Sequence, residues 1–259
     1  MALKADQPPS RRALIGSGSL VMACAGLFLV IAEDLLDGGG LISHDETVLI
    51  WFVDHRTDWA VSLARWVSTI GGFAALCVLG VAMGLWLWRR IGSLLAVAPL
   101  LSLLVAGLAS ALLKAAFGRE RPPVTLHATT VGLASFPSAH AADAAAFFVA
   151  ASFTLTLTLL HRRWVKVLTI VIGAALAGLV GLSRLVLAVH WLSDVIAGWA
   201  MGTAVATTIT TLGWLASSAR HKHLLPNAAP DRGTGHVRTS HQHRKGLPRT
   251  PIIDRRPVG

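Results

Sequence analysis

The chain has 259 residues, of which 54% are hydrophobic and only 14% are charged, and its formal net charge is +10. This composition is too apolar for an ordinary soluble domain and is typical of a small protein that crosses a membrane several times. The positive charge does not indicate a nucleic-acid-binding protein, because residues 217–259 hold nine Lys or Arg and two Asp, and so carry +7 of the +10.

Six apolar segments are long enough to cross a membrane. About 20 residues of helix span a hydrocarbon core of roughly 30 Å, and an isolated strand could not satisfy its backbone polar groups in lipid. The segments lie at 13–33, 67–88, 92–113, 139–160, 165–183 and 191–215. The sequence therefore predicts an all-α fold class: a polytopic membrane protein in which residues 13–216 form a six-transmembrane-helix bundle.

Three further segments complete the predicted organisation. Residues 1–12 are a short N-terminal segment, and the apolar run "VLIWFVD" at 48–54 predicts a short helix that lies along the membrane interface. Residues 217–259 are rich in Pro, Gly, Ser, Thr and His and contain few large apolar side chains, which predicts a disordered basic tail. Such a tail attracts anionic membrane lipids. Its five histidines have no fixed spacing and no carboxylate or cysteine cluster beside them, so no metal site is predicted there.

Basic residues flank the six segments in a regular pattern. They lie before the first, after the second, between the fourth and fifth, and after the sixth: Arg11, Arg12, Arg89, Arg90, Arg162, Arg163, Lys166, Arg220 and Lys222. By the positive-inside rule, these positions and both termini are cytoplasmic. The connections 34–66, 114–138 and 184–190 then face outward. The second of these breaks the rule, because it contains Lys114, Arg119 and Arg121, and a bound anion would explain them.

Three polar clusters meet at this outer face if the topology is right: "KAAFGRERP" at 114–122, "FPSAH" at 136–140 and "SRLVLAVHWLSD" at 183–194. Ionisable groups at membrane depth are costly and tend to face a cavity, a partner or a substrate. Lys114, Arg121 and Arg184 supply three cations, and the planar guanidinium of arginine matches phosphate oxygens. The hydroxyl of Ser138 and the backbone amides at the start of the fourth segment add further donors.

Two histidines and a carboxylate complete the predicted site. His190 and Asp194 are four residues apart at the expected start of a helix, so their side chains share a face. The carboxylate can hold one imidazole nitrogen and leave the other free as a nucleophile or base. His140, on a different helix, can supply a second proton-transfer group.

Each of these residues alone is more often structural than catalytic. A histidine at a helix start, a snorkelling lysine, a loop arginine or a serine N-cap needs no functional explanation, but all of them together at one face are hard to explain as packing. Arg119 and Asp143 lie among these residues; they are interpreted as exposed charge and local helix capping, without a role in the site.

The motifs resemble those of the type 2 phosphatidic acid phosphatase (PAP2) superfamily, over residues 45–210. Lys114, six residues and Arg121-Pro122 resemble its first motif, and Pro137-Ser138-Ala139-His140 its second. Ser183-Arg184, five residues, His190, three residues and Asp194 resemble the third. The second motif usually reads Pro-Ser-Gly-His, so Ala139 replaces a glycine. Alanine keeps the backbone amide and is unfavourable only where positive φ or very close approach is needed.

The resemblance implies a metal-independent phosphatase without a cofactor that acts through a phosphohistidine. In that scheme the catalytic residues are His190, which attacks phosphorus, Asp194, which orients it, and His140, which protonates the leaving oxygen. The phosphoryl oxygens are held by Lys114, Arg121, Ser138, Arg184 and the backbone near Ala139. Fixed cations replace the metal that many phosphatases use.

The function favoured at this point is hydrolysis of a polyprenyl diphosphate carrier, such as undecaprenyl diphosphate, to its monophosphate at the outer face of the cytoplasmic membrane. Phosphatidylglycerol phosphate, phosphatidate or another prenyl phosphate would use the same cations. A phosphotransferase would pass phosphate to an acceptor hydroxyl, and a non-catalytic anionic-lipid binder or carrier would not need His190. The expected partners are a lipid phosphate and membrane lipids, with no nucleic acid, and nothing in the sequence indicates the oligomeric state.

Overall fold

The computed structural model describes residues 7–132 and 134–224 of the chain. Within these residues it contains eight α-helices and no β-strand, which confirms the predicted all-α fold class. In chain order the helices are α1 (Arg11–Asp37), α2 (Asp45–His55), α3 (Asp58–Ile70), α4 (Phe73–Ile91), α5 (Ala98–Phe117), α6 (Ala139–Thr158), α7 (Arg163–Val186) and α8 (Leu192–Leu224).

Six of the described helices are long and apolar enough to cross a membrane: α1, α4, α5 with the 3₁₀ turn before it, α6, α7 and α8. The six-span plan is therefore confirmed, but the second span begins at Phe73 instead of residue 67. Gly71 ends α3 and Gly72 precedes α4, so the chain turns between them. The apolar residues on both sides of this turn concealed the break in the sequence pattern.

Two short helices, and not one, lie in the first predicted outer connection. The run "VLIWFVD" falls in α2 as expected, whereas α3 was not predicted. On α3, Trp59 and Trp66 are about 70% exposed while Ala64 and Ser68 are buried against the rest of the molecule. Because α3 packs on α7, it brings Ser68 towards the end of α7 that carries Arg184.

Helix α6 is the centre of the bundle and packs against α4, α5, α7 and α8, while α1 packs on the outer side of α8. Its buried face is built from alanines, whose small side chains allow neighbouring helices to approach closely. Large apolar side chains of the peripheral helices, such as Leu108, Val171 and Leu179, point away from this core and are exposed. Small side chains therefore fill the interior and large apolar ones cover the outside, which suits a bundle surrounded by lipid.

The contact between α6 and α8 depends on two glycines of α8. A Cβ at Gly198 would lie 2.6 Å from the carbonyl oxygen of Ser138, and one at Gly202 would overlap that of Ala142. The two backbones are therefore in direct contact. Because Ser138 and Asp194 lie at the adjoining ends of these helices, this contact also sets the separation of two of the sequence motifs.

Helix α8 extends further than the sequence predicted. It continues through Leu224, so residues 217–224, which were assigned to the tail, are helical. Ser217 and Ser218 tolerate this because their hydroxyls donate to the carbonyls of Gly213 and Leu215 within the helix. The remainder of the predicted tail, 225–259, lies outside the described residues, as do residues 1–6 of the predicted N-terminal segment.

Candidate active site

The first motif begins in the last turn of α5. Gly118 ends this helix with φ at +58°, a conformation that glycine adopts without strain, and its N–H donates to the carbonyl of Lys114 at 3.0 Å. Lys114 Nζ donates to the carbonyl oxygens of Ala134 (3.0 Å) and Ser135 (2.9 Å). The lysine therefore ties the following loop to the helix end and leaves one N–H direction of its ammonium group for another acceptor.

Arg121 lies in that loop and reaches the third motif. Its Nε donates to the carbonyl of Gly132 and its Nη1 to the carbonyl of Val189, each at 2.6 Å. The same Nη1 lies 3.1 Å from His190 Nε2. These contacts hold the guanidinium of Arg121 beside the imidazole on the side away from Asp194.

The end of α7 brings Arg184 and His190 together through a sharp turn. Ala188 has φ at +54° and is the only described non-glycine residue with positive φ. The N–H of Ala188 donates to the carbonyl of Leu185 at 2.9 Å, and that of Val189 to Arg184 at 3.2 Å. This turn reverses the chain within the five residues that separate Arg184 from His190, so both side chains face the same space.

His190 and Asp194 are in contact, as predicted, but not on one helical face. Helix α8 begins only at Leu192, and His190 lies in the turn before it. The carboxylate of Asp194 folds back over the helix start, where its Oδ2 accepts the N–H of Trp191 at 3.0 Å and lies 3.1 Å from His190 Nδ1. The Asp194 carboxylate thus accepts the N–H of the residue before α8, as in a capping box, and contacts the imidazole with the same oxygen.

The electrostatic surroundings keep His190 neutral. Burial lowers the pKa of this imidazole to about 3, although the hydrogen bond and charge of Asp194 oppose the shift. With Nδ1–H donating to Asp194, the lone pair of the neutral ring lies on Nε2, where Arg121 donates to it. This nitrogen is thus an unprotonated, oriented base or nucleophile.

The second motif lies at the start of α6. Ser138 precedes the helix, and its N–H donates to the carbonyl of Asp194 at 3.0 Å. Its hydroxyl is buried and has no hydrogen-bond partner among the described residues. Ala139 is not among the positive-φ residues, so the conformation of this position does not require the glycine of the family motif. His140 follows in the first helical turn.

A cavity of about 520 Å³ joins these elements. Six of the eight residues predicted for the site line it: Lys114, Arg121, Ala139, His140, Arg184 and His190. The other two lie behind its wall, Asp194 fully buried behind His190 and Ser138 buried next to Ala139. The remaining wall comes from Ser68 to Ala75, across the break between α3 and α4, and from the loop residues 129–132.

The sequence interpretation was wrong about Arg119 and Asp143. Arg119 is not an exposed charge: its side chain is 11% exposed and pairs with both Asp194 and Asp45 at 2.7 Å. Asp143 is not a helix cap but is buried inside α6, and its Oδ1 has no hydrogen-bond partner in the described part of the chain. The sequence pattern placed Arg119 in a connection expected to face outward, and this exception to the positive-inside rule was the available signal that Arg119 has a buried partner.

Two other contributors carried no signal in the sequence. Ser68, on the unpredicted helix α3, accepts a hydrogen bond from Arg184 Nη1. Ser193 joins Asp45 to the start of α8. Both are common residues whose importance depends on which helices meet, and a residue pattern does not show this.

The arrangement suits transfer of a phosphoryl group. Three cations surround the cavity, a neutral imidazole nitrogen faces it, and a second imidazole lies on the neighbouring helix. Positive groups fixed around an oxyanion stabilise the charge that develops during transfer. Within residues 7–132 and 134–224, no group of three or more His, Cys, Asp or Glu side chains could hold a metal ion.

Comparisons with known proteins agree with this geometry. Residues 95–217 match the PAP2 superfamily. The chain is 28% identical over 183 residues to phosphatidylglycerophosphatase B of Bacillus subtilis. The aligned region covers 68% of this chain and 86% of the relative.

A solved structure has the same fold. It is the crystal structure described as the first transmembrane PAP2-type phosphatidylglycerolphosphate phosphatase from Bacillus subtilis, with a TM-score of 0.66 and 24% identity over 72% of this chain and 93% of that chain. The PAP2 match contains all three motifs and most of the cavity wall. Residues 95–217 therefore form a PAP2 superfamily domain, and the chain is a multi-pass membrane phosphatase.

Proposed function

We propose that the protein hydrolyses the phosphomonoester of a membrane lipid, with phosphatidylglycerol phosphate as the favoured substrate, through a phosphohistidine at His190. The observation that carries this proposal is the position of His190. Its Nδ1 is held by Asp194 and its Nε2 faces a cavity that also contains Lys114, Arg121 and Arg184. A lipid carrier or an inert anion binder would need the cations but not an oriented imidazole.

The first step transfers the phosphoryl group to the protein. As the substrate enters, the Arg121 N–H that faced His190 Nε2 donates instead to a phosphoryl oxygen. The freed lone pair of Nε2 then forms a bond to phosphorus as the bond from phosphorus to the lipid oxygen breaks. His140, protonated on the nitrogen that faces the substrate, donates its proton to that departing oxygen, so the product leaves as an alcohol. Arg121 and Arg184 hold the equatorial oxygens of phosphorus, and Lys114 adds a third positive charge.

The second step releases phosphate. His140, now neutral, accepts a proton from a water molecule as that water attacks phosphorus and the bond to His190 Nε2 breaks. Inorganic phosphate leaves, and both histidines return to their starting states. The Ser138 hydroxyl contributes to this step and the first by turning towards a phosphoryl oxygen, which supplies the hydrogen-bond partner that it lacks among the described residues.

The choice of substrate differs from the one favoured by sequence alone. The polyprenyl diphosphate preference depended only on the expected outward site, whereas the similar Bacillus subtilis protein is named for phosphatidylglycerophosphate. Three cations around one imidazole match a single phosphoryl group, and this match makes no use of a second phosphate group. Phosphatidylglycerol phosphate is therefore the substrate to test first, and the polyprenyl diphosphate is the alternative.

The decisive experiment measures phosphate release by purified protein in detergent with excess EDTA. Phosphatidylglycerol phosphate, a polyprenyl diphosphate and phosphatidate are offered separately, with His190→Ala as the inactive variant and His55→Ala as its matched control. His55 is exposed, and its described contacts are with Trp51 of the same helix, through the Trp51 carbonyl and through stacking of the two rings. We expect chelator-resistant release, fastest from phosphatidylglycerol phosphate, that disappears only in His190→Ala.

Other outcomes are equally informative. Faster phosphate release from the polyprenyl diphosphate would make that lipid the favoured substrate. Equal background from wild type and His190→Ala with all three lipids would contradict hydrolysis, and acceptor-dependent transfer would then be the reaction to test. Release that EDTA abolishes would contradict the metal-independent mechanism.

We also propose that the cavity opens on the outer side of the cytoplasmic membrane and that both termini are cytoplasmic. The support is the distribution of charge: Arg90 and Arg163 lie at the ends of α4 and α7 opposite those that line the cavity. Single cysteines at the exposed positions Glu120 and Arg162, after replacement of Cys24 and Cys77, test this in intact cells. A membrane-impermeant thiol reagent should label Glu120→Cys and leave Arg162→Cys unlabelled; the reverse pattern would invert the topology.

A further inference from the structure

The strongest unexplained feature of the molecule is a buried ion-pair network behind His190. We infer that Arg119 is a positioning residue that holds Asp194, and through it His190, in the reactive orientation, and that Asp45 of α2 anchors Arg119 in turn. This inference rests on the proposed function, because it concerns the same nucleophile. It adds two residues: Arg119, which is one of the six residues between Lys114 and Arg121 in the first motif, and Asp45, which lies outside all three motifs.

Arg119 uses its guanidinium as a bridge between two carboxylates. Nη1 donates to Asp194 Oδ1 and to Ser193 Oγ, each at 2.7 Å, and Nη2 donates to Asp45 Oδ2 at 2.7 Å. The face of the guanidinium lies over the ring of Trp191, with Cζ 5.5 Å from its centroid. This combination of fork geometry and stacking is available to arginine and not to lysine.

Asp194 depends on this bridge for the pairing of one of its oxygens. Oδ2 contacts His190 Nδ1 and accepts the N–H of Trp191, whereas Oδ1 accepts from Arg119. The residue has no exposed surface, so a carboxylate without Arg119 would leave a buried charge only partly compensated. With Arg119 in place, the carboxylate plane is fixed at both oxygens, and so is the direction of the His190 ring.

Asp45 connects this arrangement to α2. It is 3% exposed, and its Oδ1 accepts the N–H of Ser193 at 2.9 Å, which caps the start of α8 from another helix. Its Oδ2 accepts from both Arg119 and the Ser193 hydroxyl. Asp45 therefore holds the helix start that carries Asp194 and the guanidinium that contacts it, and both functions depend on the docking of α2.

The position of Arg119 separates its role from substrate binding. It does not line the cavity, in contrast to Arg121 two residues later, whose Nη1 reaches His190 Nε2. A change at Arg119 should therefore alter the orientation of the nucleophile and leave the phosphate-binding groups in place. The expected kinetic signature is a fall in kcat with little change in KM.

The test combines Arg119→Lys with Asp194→Asn in the full-length protein. Lysine keeps the charge but cannot reach both carboxylates, so we expect kcat for phosphate release to fall about 10- to 100-fold, with KM within about twofold of wild type. If Arg119 acts through Asp194, the same substitution in the Asp194→Asn background should lower kcat by less than about threefold, because residues that act as a unit are not additive. A purely structural role would give the full loss in both backgrounds.

Arg65→Lys is the matched control, since Arg65 is exposed and donates only to the carbonyl of Ala128. It should keep wild-type kcat. If Arg119→Lys does not fold, as judged by its thermal transition in detergent, Asp45→Asn provides the second measurement: it preserves size and weakens only the anchor, so kcat should fall by about three- to tenfold with KM unchanged. Wild-type kcat in the folded variants, a change confined to KM, or equal losses in both backgrounds would overturn the inference.

The same assay distinguishes failure of this inference from failure of the proposed function. An active wild type with an equally active Arg119→Lys would refute the positioning role alone. An inactive wild type would refute the proposed hydrolysis, and the positioning role would be refuted with it.

Discussion

The two sides of the His190 ring are built differently. On the Nδ1 side, Asp194, Arg119, Asp45 and Ser193 form a closed set in which each charged group contacts its opposite or a backbone N–H. On the Nε2 side, Arg184 Nε is buried without a hydrogen-bond partner among the described residues, and so is the Ser138 hydroxyl behind the cavity wall. A buried polar group without a partner is unfavourable by about 1–3 kcal/mol.

This difference indicates what each side is for. The paired side needs no ligand to be stable and can hold the imidazole at one angle before substrate arrives. In the proposed mechanism an oxyanion in the cavity completes the unpaired side, so part of the binding energy would come from satisfying groups that the fold leaves without partners. The groups that orient the imidazole before substrate binds thus lie beside Nδ1, and the proposed ligand-binding groups lie beside Nε2.

Among the substitutions that test this difference between the two sides, Arg121→Lys on the unpaired side should have the largest effect on activity. Lysine cannot contact the Gly132 and Val189 carbonyls and a phosphoryl oxygen together, so we expect kcat/KM to fall about 10- to 100-fold. In contrast to Arg119→Lys, KM should rise as well. A loss confined to kcat would mean that Arg121 orients His190, as Arg119 is proposed to do, and would contradict the division between the two sides.

The second effect concerns the backbone contact that joins the two sides. A methyl group at Gly198 would press on the Ser138 carbonyl and separate α6 from α8, which we expect to destabilise the fold by about 1–3 kcal/mol. Gly178→Ala is the control, because a Cβ there meets nothing within 4 Å. Thermal unfolding in detergent should show a loss for Gly198→Ala only. Equal transitions would mean that the helix contact is more tolerant than its geometry implies.

A third, smaller effect follows from the buried neutral His190. Burial disfavours the charged form and lowers the pKa of His190 from its ordinary value of 6.5 to about 3 in the folded protein. Between these values the unfolded chain binds a proton that the folded chain does not, so stability contributed by the neutral ring is lost as the pH falls from about 6.5 towards 3.

Wild type should therefore lose more thermal stability between pH 6.5 and pH 4.5 than His190→Gln, which has no titrating ring. The comparison of the two proteins removes the contributions of the other ionisable groups. An identical pH dependence would show that His190 is not buried as a neutral group, and the nucleophile would then need another source of deprotonation.

The smallest effect is expected for Ala139→Gly, which restores the residue usual in the family motif. Because the position does not have positive φ, glycine relieves no strain, and activity should stay within about threefold of wild type. Helix stability should fall slightly, since glycine is less favourable than alanine in a helix by about 1 kcal/mol. A gain in activity beyond tenfold would show that the alanine methyl group restricts substrate access on the unpaired side.

Much of this protein could be predicted from the sequence because lipid imposes simple rules. Apolar segments of sufficient length predict spanning helices, and the number and order of the spans were confirmed. The motif residues that line the cavity, such as Lys114 and His140, were found because ionisable groups are rare at membrane depth. Helix boundaries were less accurate where glycines interrupt an apolar run, as at Gly71 and Gly72.

Tertiary structure alone decided how the imidazole of His190 is held. The sequence placed His190 and Asp194 on one helical face, whereas their contact depends on a turn before α8 and on a carboxylate that folds over the helix start. The buried role of Arg119 depends on α2, α8 and the loop after α5 meeting at one point. Such a contact joins residues more than 70 positions apart, and no local pattern of charge or hydrophobicity determines which of them become neighbours. The residue types that can perform the chemistry are visible in the chain, but their pairing follows from the packing of helices.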